Sequence, residues 1–156
     1  MKPLVWLGLG LWAIAQGSVA YANQDPACET ISGTLFTNFI SETETLGVVL
    51  GSLEGGVRAV IVEQAPQDDG RVRIQLRHTF VTRDGSTLHT QDEGIGTPIR
   101  EGLMHVTERS VIVGGTGRFS NVRGTLEVHG SVDFERGETV FRYRGELCRE
   151  KPMAHE

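Results

Sequence analysis

The sequence predicts an all-β protein: an eight-stranded antiparallel up-and-down barrel, closed by a disulfide between its two ends. Three observations favour this fold class. Runs rich in β-branched residues recur along the chain, and hairpin-length turn signals separate them. Gly is frequent, with 20 residues, and Pro is scarce, with 5. Two cysteines, Cys28 and Cys148, flank the runs. Closure into a barrel would remove both exposed sheet edges and bring these cysteines to one rim.

Eight runs are interpreted as strands, and each ends at turn-forming residues. The connections 54–55, 66–70, 83–85 and 135–137 have hairpin lengths, so consecutive strands should pair antiparallel. The predicted strands span residues 30–40, 44–53, 56–65, 71–82, 87–96, 103–113, 122–134 and 138–148.

The second run leaves an alternative open. Its apolar residues also have helical spacing, although Gly47 and Gly51 weaken a helix there. A helix would reduce the strand count to seven and make closure less secure. The residues concerned are Leu46, Val48, Val49, Leu50 and Leu53.

Alternation along four later runs predicts which side chains face the interior, because successive residues of a strand point to opposite faces. On the fourth run, His78 shares a face with Val72, Ile74, Leu76 and Phe80. On the sixth, Glu108 and Ser110 share a face with Met104, Val106 and Ile112. The seventh contributes Val122, Leu126, Val128, Val132 and Phe134, and the eighth Phe141, Tyr143 and Leu147. Arg71, Arg73, Arg77, Arg142 and Arg144 fall on the exterior, where ordinary surface pairs are expected.

The fifth run admits two registers. A three-residue turn with Gly85 in the left-handed conformation pairs Phe80 with Leu88 and turns Asp92 inward. A two-residue turn would instead point His89, Gln91 and Glu93 inward. The first register is preferred because it matches apolar with apolar residues.

The N-terminus predicts export. Lys2 precedes an apolar run, and Ala20-Tyr21-Ala22 forms a small-x-small cleavage site. The run is too short for a membrane span, which needs about 20 apolar residues. Residues 1–22 are therefore interpreted as a signal peptide, 23–150 as a single barrel domain and 151–156 as a tail. The mature protein is expected to be periplasmic or extracellular, with no membrane span.

Composition argues against several functions. Without Lys2, 14 Lys and Arg stand against 20 Asp and Glu, a net charge of −6. Nucleic-acid binding needs clustered cations, so it is not expected. The histidines show no metal-ligand spacing, and no metal site is predicted. In an oxidising compartment Cys28 and Cys148 are expected to form a disulfide, and a catalytic thiol is the weaker alternative.

The loop 114–119, Gly-Gly-Thr-Gly-Arg-Phe, resembles a phosphate cradle only superficially. Such loops lead into a helix whose N-terminus faces the anion, whereas this one leads into the strand that begins at Val122. It is interpreted as a structural connection, with Phe119 covering one end of the core.

Several of these segments resemble the barrel shared by allene oxide cyclases and dirigent proteins, in particular bacterial secreted proteins of an allene oxide cyclase barrel-like group. The segments are 112–119, Gly124, the turn 84–86 and the closing 143–145. The resemblance covers most of residues 30–148. It implies an apolar cavity, no cofactor and a homo-dimer or homo-trimer, with cyclisation of reactive small molecules in some members. The glutamate, asparagine and cysteine associated with plant allene oxide cyclases do not fall on matching motifs.

Polar side chains on the predicted inner face supply the candidate site. His78, Asp92 and Glu108 come from neighbouring strands, and burial could raise the carboxyl pKa values and provide a general acid or base. They are the candidate catalytic residues, while a satisfied buried network is the structural alternative. The candidate ligand-binding residues are Tyr143, Phe80, Met104 and Phe141.

Three function classes remain open. The preferred one is a secreted barrel that binds a small hydrophobic molecule. The second is a cofactor-independent cyclase or isomerase of the allene oxide cyclase or dirigent type. The third is a structural or interaction protein with a filled core, since an eight-stranded barrel can be just wide enough for its own side chains.

Overall fold

The protein is described by a computed structural model, in which residues 27–149 are placed. The predicted signal peptide 1–22 and tail 151–156 lie outside the described residues. Eight antiparallel strands follow one another around a closed barrel, and the last pairs with the first, so the predicted fold is confirmed. The strands are β1 (Ala27–Phe39), β2 (Glu44–Gly51), β3 (Gly55–Pro66), β4 (Val72–Thr82), β5 (Thr87–Arg100), β6 (Leu103–Gly115), β7 (Val122–Asp133) and β8 (Glu138–Arg149).

The predicted disulfide joins the first and last strands. Cys28 and Cys148 are direct partners in the β1–β8 ladder, with their Cα atoms 4.0 Å apart, and their sulfur atoms are bonded. The described residues contain no free cysteine. Neither cysteine has a free thiol that could act in catalysis. The bridge links the first and last strands at one rim of the barrel.

Strand β2 settles the question raised by its helical spacing. It pairs with β1 and β3 over most of its length, so the strand interpretation is confirmed. Val49 is fully buried, whereas Leu46, Val48 and Leu50 point outward and are about half exposed. The irregular apolar spacing arises because both faces of this strand carry apolar side chains.

The β4–β5 hairpin adopts the preferred register. Gly85 has a φ of 79°, and the backbone bonds between Thr82 and Ser86 close a three-residue turn. Phe80 pairs with Leu88, and Asp92 is buried at 3% exposure. The left-handed position suits glycine because it carries no Cβ.

The end of the barrel that carries the Cys28–Cys148 disulfide, here called the cystine end, is filled by packed side chains. Leu53, Leu88 and Phe119 are buried there, and Phe119 belongs to a short 3₁₀ helix, Gly117–Phe119. The loop 114–119 thus has the covering role predicted for it. Next to it, Asp84 accepts hydrogen bonds from the Thr82 hydroxyl at 2.6 Å and the Ser86 amide at 3.1 Å, which lower the pKa of its carboxyl group.

Tyr143 lies in the same closed half of the barrel. Its hydroxyl accepts a hydrogen bond from the Leu53 amide at 3.0 Å and donates one to the Leu50 carbonyl at 3.3 Å. The ring crosses Gly33, where a Cβ would lie 2.6 Å from the Tyr143 Cε1 atom. Burial raises the pKa of the phenol. Tyr143 therefore connects β8, through hydrogen bonds, to the end of β2 and to the β2–β3 connection.

The opposite end, the open end, is rimmed by the connections 40–43, 67–71, 101–102 and 134–137. Phe134 was predicted to face the interior; it lies just beyond the end of β7, is 51% exposed and lines the mouth of the barrel interior. Its ring packs against Phe39 with centroids 5.9 Å apart. The alternation of β7 ends before Phe134, so this residue belongs to the rim. Among residues 27–149, no helix is long and apolar enough to cross a membrane.

Candidate functional site

The open half of the barrel contains an apolar cavity of about 60 Å³. Aliphatic and aromatic side chains from β1, β3, β4, β6, β7 and β8 dominate the wall, while β2 contributes only Thr45. The polar lining side chains are Thr37, Thr45, Gln64, His78, Glu108 and Thr139. Thr37 and Thr139 satisfy each other through a hydroxyl–hydroxyl bond of 2.7 Å. The cavity therefore offers few polar contacts to anything that enters it.

His78 and Asp92 form a buried pair at the base of this cavity. His78 Nδ1 lies 3.0 Å from Asp92 Oδ2, and the Thr90 hydroxyl donates to the same oxygen at 3.0 Å. The Asp92 side chain has no exposed surface. Because an ionised carboxylate only accepts hydrogen bonds, Nδ1 carries the proton. Nε2 is then the nitrogen left for other contacts, and His78 lines the cavity while Asp92 lies behind it.

The charge state of His78 reflects opposing influences. Burial is the largest of these and lowers the pKa of the imidazole. The hydrogen bond and charge of Asp92, with a further contribution from the charge of Glu108, outweigh burial, so the pKa is raised above its ordinary value. The ring also stacks on Phe80, with centroids 5.7 Å apart. The Asp92 carboxylate thus stabilises the imidazolium form of His78 against the cost of burial.

Glu108 reaches the same cavity from β6. It pairs across the ladder with Gly94, where a Cβ would lie 2.7 Å from the Glu108 Cγ atom. Glycine at this inward position therefore makes room for the glutamate side chain. Glu108 Oε2 is buried and has no hydrogen-bond partner among the described residues. A buried polar atom without a partner is uncommon in folded proteins and calls for an explanation.

Burial raises the pKa of Glu108 to about 7, and the charge of Asp92 adds to the increase while His78 opposes it. The group is consequently close to half protonated at neutral pH. A carboxyl group in this state can either donate or accept a proton, as a general acid or base requires. The three predicted catalytic residues are brought together, although only His78 and Glu108 line the cavity.

The predicted ligand-binding residues divide between the two halves of the barrel. Met104 and Phe141 line the cavity, whereas Phe80 and Tyr143 are packed below it and do not. The prediction omitted Phe39, Thr37 and Thr139, which do line it. Alternation would have placed Thr37 and Phe39 on the inner face, since they continue the parity of Leu35.

The size of the cavity limits what can enter it. A protein cavity of about 150 Å³ holds benzene, and drug-sized ligands occupy about 300 to 1,000 Å³. At about 60 Å³, this cavity accommodates a small group, such as the tip of a longer molecule. The flexible side chain of Met104 could enlarge it, since methionine adapts readily to its surroundings.

Metal binding receives no support from the arrangement. Among residues 27–149, no group of three or more His, Cys, Asp or Glu side chains is placed to hold a metal ion. The expectation of a site without metal or cofactor stays a prediction. The disulfide fits an oxidising compartment, in agreement with the predicted export.

Comparisons with known proteins found distant similarity of this chain to solved structures. No family model and no curated protein matches it. Solved structures that are similar to it include those of the pterocarpan synthase dirigent proteins GePTS1 and PsPTS1. The GePTS1 match has 15% identity and a TM-score of 0.35, and covers 91% of this chain and all of that chain. The PsPTS1 match has 17% identity and a TM-score of 0.37, and covers 82% of this chain and 99% of that chain.

Similarity at this level carries no argument about activity. The expected resemblance was to two groups of proteins, allene oxide cyclases and dirigent proteins. Both structures are described as dirigent proteins, and neither is described as an allene oxide cyclase or as a bacterial protein of that group. The barrel assignment therefore rests on the strand pairing of this chain itself.

Proposed function

We propose that this protein is a secreted barrel that binds a small, mainly apolar molecule at its open end, with one oxygen of that molecule reaching Glu108. The observation that carries the proposal is the unpartnered Glu108 Oε2 atom of a side chain that lines an apolar cavity. Burying a carboxyl group without a hydrogen bond is unfavourable. A partner that enters through the open end would satisfy it.

Cavity size defines the mode of binding. Only a small group fits between His78, Glu108 and Met104, so the oxygen-bearing end of the molecule enters first. Its remaining apolar part would contact Phe39 and Phe134 at the rim, which are within reach of each other and of solvent. Aromatic side chains supply large apolar contact areas for such a partner.

A matched pair of probes tests the role of the oxygen. At about pH 6, 2-hexanone should bind several-fold to tenfold more tightly than n-hexane, because one net hydrogen bond contributes about 1 kcal/mol. Binding can be followed by NMR of a ¹³C-labelled Met104 methyl group, which lines the cavity. The preference for the ketone should disappear in Glu108→Leu and persist in Glu127→Leu, a matched change on the barrel exterior.

The pH dependence of ketone binding tests whether protonated Glu108 is the hydrogen-bond donor. A ketone oxygen only accepts hydrogen bonds, so it pairs with protonated Glu108 and loses that partner as the pH rises through about 7. Equal binding of the two probes, or no binding of either by the protein as purified, would contradict the proposal. The second result would favour the filled structural barrel.

Acid–base catalysis is a second candidate function, favoured by the position of two ionisable groups at one apolar cavity. The Glu108 carboxylate would remove a proton from the carbon next to a carbonyl, while the His78 imidazolium donates a proton to the carbonyl oxygen. The C–H bond breaks, an O–H bond forms and an enol results. Return of the hydroxyl proton to His78 and of the Glu108 proton to the same carbon regenerates the ketone. Delivery of the Glu108 proton to the far carbon of a conjugated enol instead moves the C=C bond and completes an isomerisation without any oxidant.

Isotope exchange tests this candidate without knowledge of the natural substrate. In D₂O, the protein should accelerate deuterium incorporation next to the carbonyl of 2-hexanone, and a general base contributes about 10²-fold or more to such steps. Glu108→Gln should abolish the acceleration, whereas Glu127→Gln should retain it. Binding of 2-hexanone without accelerated exchange would contradict catalysis and leave the binding function in place.

A further inference from the structure

The outer surface of three adjacent strands carries an ordered set of side chains. Three of the outward residues of each of the strands β8, β1 and β2 lie side by side, and the strand registers arrange these nine as three rows of three. We call this set the β8–β1–β2 face. Its rows are Arg142–Thr34–Leu50, Val140–Phe36–Val48 and Glu138–Asn38–Leu46.

Apolar side chains dominate the β8–β1–β2 face. The middle row is entirely apolar, and Leu46 and Leu50 extend it on β2. These five side chains are 42–50% exposed. On β2 the outward positions Leu46, Val48 and Leu50 are all apolar, whereas Val49 is the one large apolar side chain on its inner face. A strand whose outer face is more apolar than its inner face presents a surface that a partner can cover.

The exterior on the other side of the barrel differs. There, one row across β5, β6, β7 and β8 places Glu93, Arg109, Glu127 and Arg144 side by side in register. Opposite charges alternate along this row, which is a favourable arrangement of cross-strand neighbours on a solvated face. Exposed apolar residues also occur on β4 and β6, at Val81, Val111 and Val113. What distinguishes the β8–β1–β2 face is that its exposed apolar residues lie side by side across three adjacent strands.

We propose that a second copy of this chain covers the β8–β1–β2 face, related by a two-fold axis that runs along the middle row. Such an axis places the middle row of one copy against the middle row of the other, so that Phe36, Val48 and Val140 form the centre of the contact. Interfaces built on a two-fold axis use the same patch on both copies, and the patch must complement itself.

The two outer rows satisfy this requirement. The axis superimposes the first row of one copy on the third row of the other. Arg142 then faces Glu138 of the second copy, and Leu50 faces its Leu46. Thr34 faces Asn38, and both can form hydrogen bonds. Each contact occurs twice, so two oppositely charged pairs flank an apolar centre.

The size of the face agrees with the core of a protein interface. Three strands about 4.8 Å apart and three rows about 7 Å apart give a footprint of roughly 14 by 20 Å, or about 300 Å². A stable interface buries about 800 Å² on each partner, and its apolar centre is surrounded by a polar rim. The neighbouring Arg58–Glu44 ion pair, at 2.7 Å, lies beside Leu46 and belongs to such a rim.

A lysine placed in the centre of the face tests the contact. The purified protein should sediment as a dimer, and Val48→Lys should sediment as a monomer, because a charge at the centre of an apolar contact would be buried without a partner. Val113→Lys is the matched control, since Val113 is 53% exposed on β6, outside the face. Circular dichroism and the melting temperature show whether each variant keeps its fold.

Exchange of charges tests the two-fold geometry itself. Arg142→Glu should weaken the dimer at least several-fold, as like charges then face each other, and Glu138→Arg should do the same. The double variant restores opposite charges and should recover most of the affinity. Arg77→Glu makes the same change of charge at an exposed position of β4, outside the face, and should have no effect on dimer affinity.

Four results would overturn the proposal. The first is a monomer at concentrations up to about 1 mM, which corresponds to less than about 4 kcal/mol of association. The second is a dimer that Val48→Lys and Val113→Lys affect equally. A trimer, or single charge variants whose effects add in the double variant, would rule out the two-fold arrangement.

Discussion

Replacing Glu108 with glutamine should raise the free energy of unfolding by about 3 kcal/mol at pH 8 and leave it almost unchanged at pH 4. In the folded protein, burial raises the pKa of Glu108 from 4.5 to about 7. The folded state therefore binds a proton more tightly than the unfolded state does. Stability from this group is complete below about pH 4.5 and is lost as the pH rises to about 7, and a difference of 2.5 pH units corresponds to about 3 kcal/mol.

Urea denaturation of both proteins from pH 4 to pH 9 measures this difference. Glutamine has nearly the shape of glutamate but does not titrate, so its stability curve should lack the fall attributed to Glu108. Glu127→Gln, at an exposed position of β7, supplies the control and should follow the original protein at every pH. Parallel curves for the original protein and Glu108→Gln would show that Glu108 is solvated, and would remove the support for a buried acid.

Most of the fold could be predicted because two signals act together. Alternation assigned the inner and outer faces of β4 and β6, and hairpin-length connections ordered the strands. The cysteines then tested closure, because only a barrel requires the first and last strands to be neighbours. Cys28 and Cys148 are direct ladder partners in the structure, as closure requires.

The height of a side chain along the barrel could not be predicted in the same way. Alternation places His78 and Phe80 on one face, but it does not say that the first lines a cavity while the second is packed below it. That difference depends on which end is covered, and Phe119 and Tyr143 cover the cystine end through contacts remote in sequence. The ligand-binding role predicted for Phe80 and Tyr143 consequently receives no support from the cavity lining.

Glycine determines another part of the site that the sequence did not reveal. Gly94 lies opposite Glu108, and a side chain there would occupy the space that the glutamate uses. In the sequence, Gly94 is one of many glycines in turn-rich surroundings. Only the β5–β6 register shows that it faces inward beside Glu108. The space around Glu108 is thus a property of strand pairing rather than of a motif.

The buried pair of His78 and Asp92 gives the last prediction. Asp92→Leu should lower the free energy of unfolding by about 3 kcal/mol at pH 6, because removal of one partner leaves the other as an uncompensated buried charge. Asp92 raises the pKa of His78, so the stability that the pair provides is complete below about pH 6.5 and is lost as the pH rises through the folded-state pKa. The effect of Asp92→Leu should therefore shrink at alkaline pH, where His78 is neutral.

A double-mutant cycle separates this electrostatic effect from packing. In the His78→Phe background, Asp92→Leu should no longer lower the free energy of unfolding and should raise it, because Asp92 is then the uncompensated buried charge and a buried ion pair can be replaced by apolar side chains of similar size at little loss. Loss of the hydrogen bond that the Thr90 hydroxyl donates to Asp92 at 3.0 Å limits the gain. If Asp92→Leu is equally destabilising with and without His78, the two side chains are not coupled. Asp92 could then not hold the His78 proton on Nδ1, and the imidazolium that the proposed proton transfer needs would lose its support.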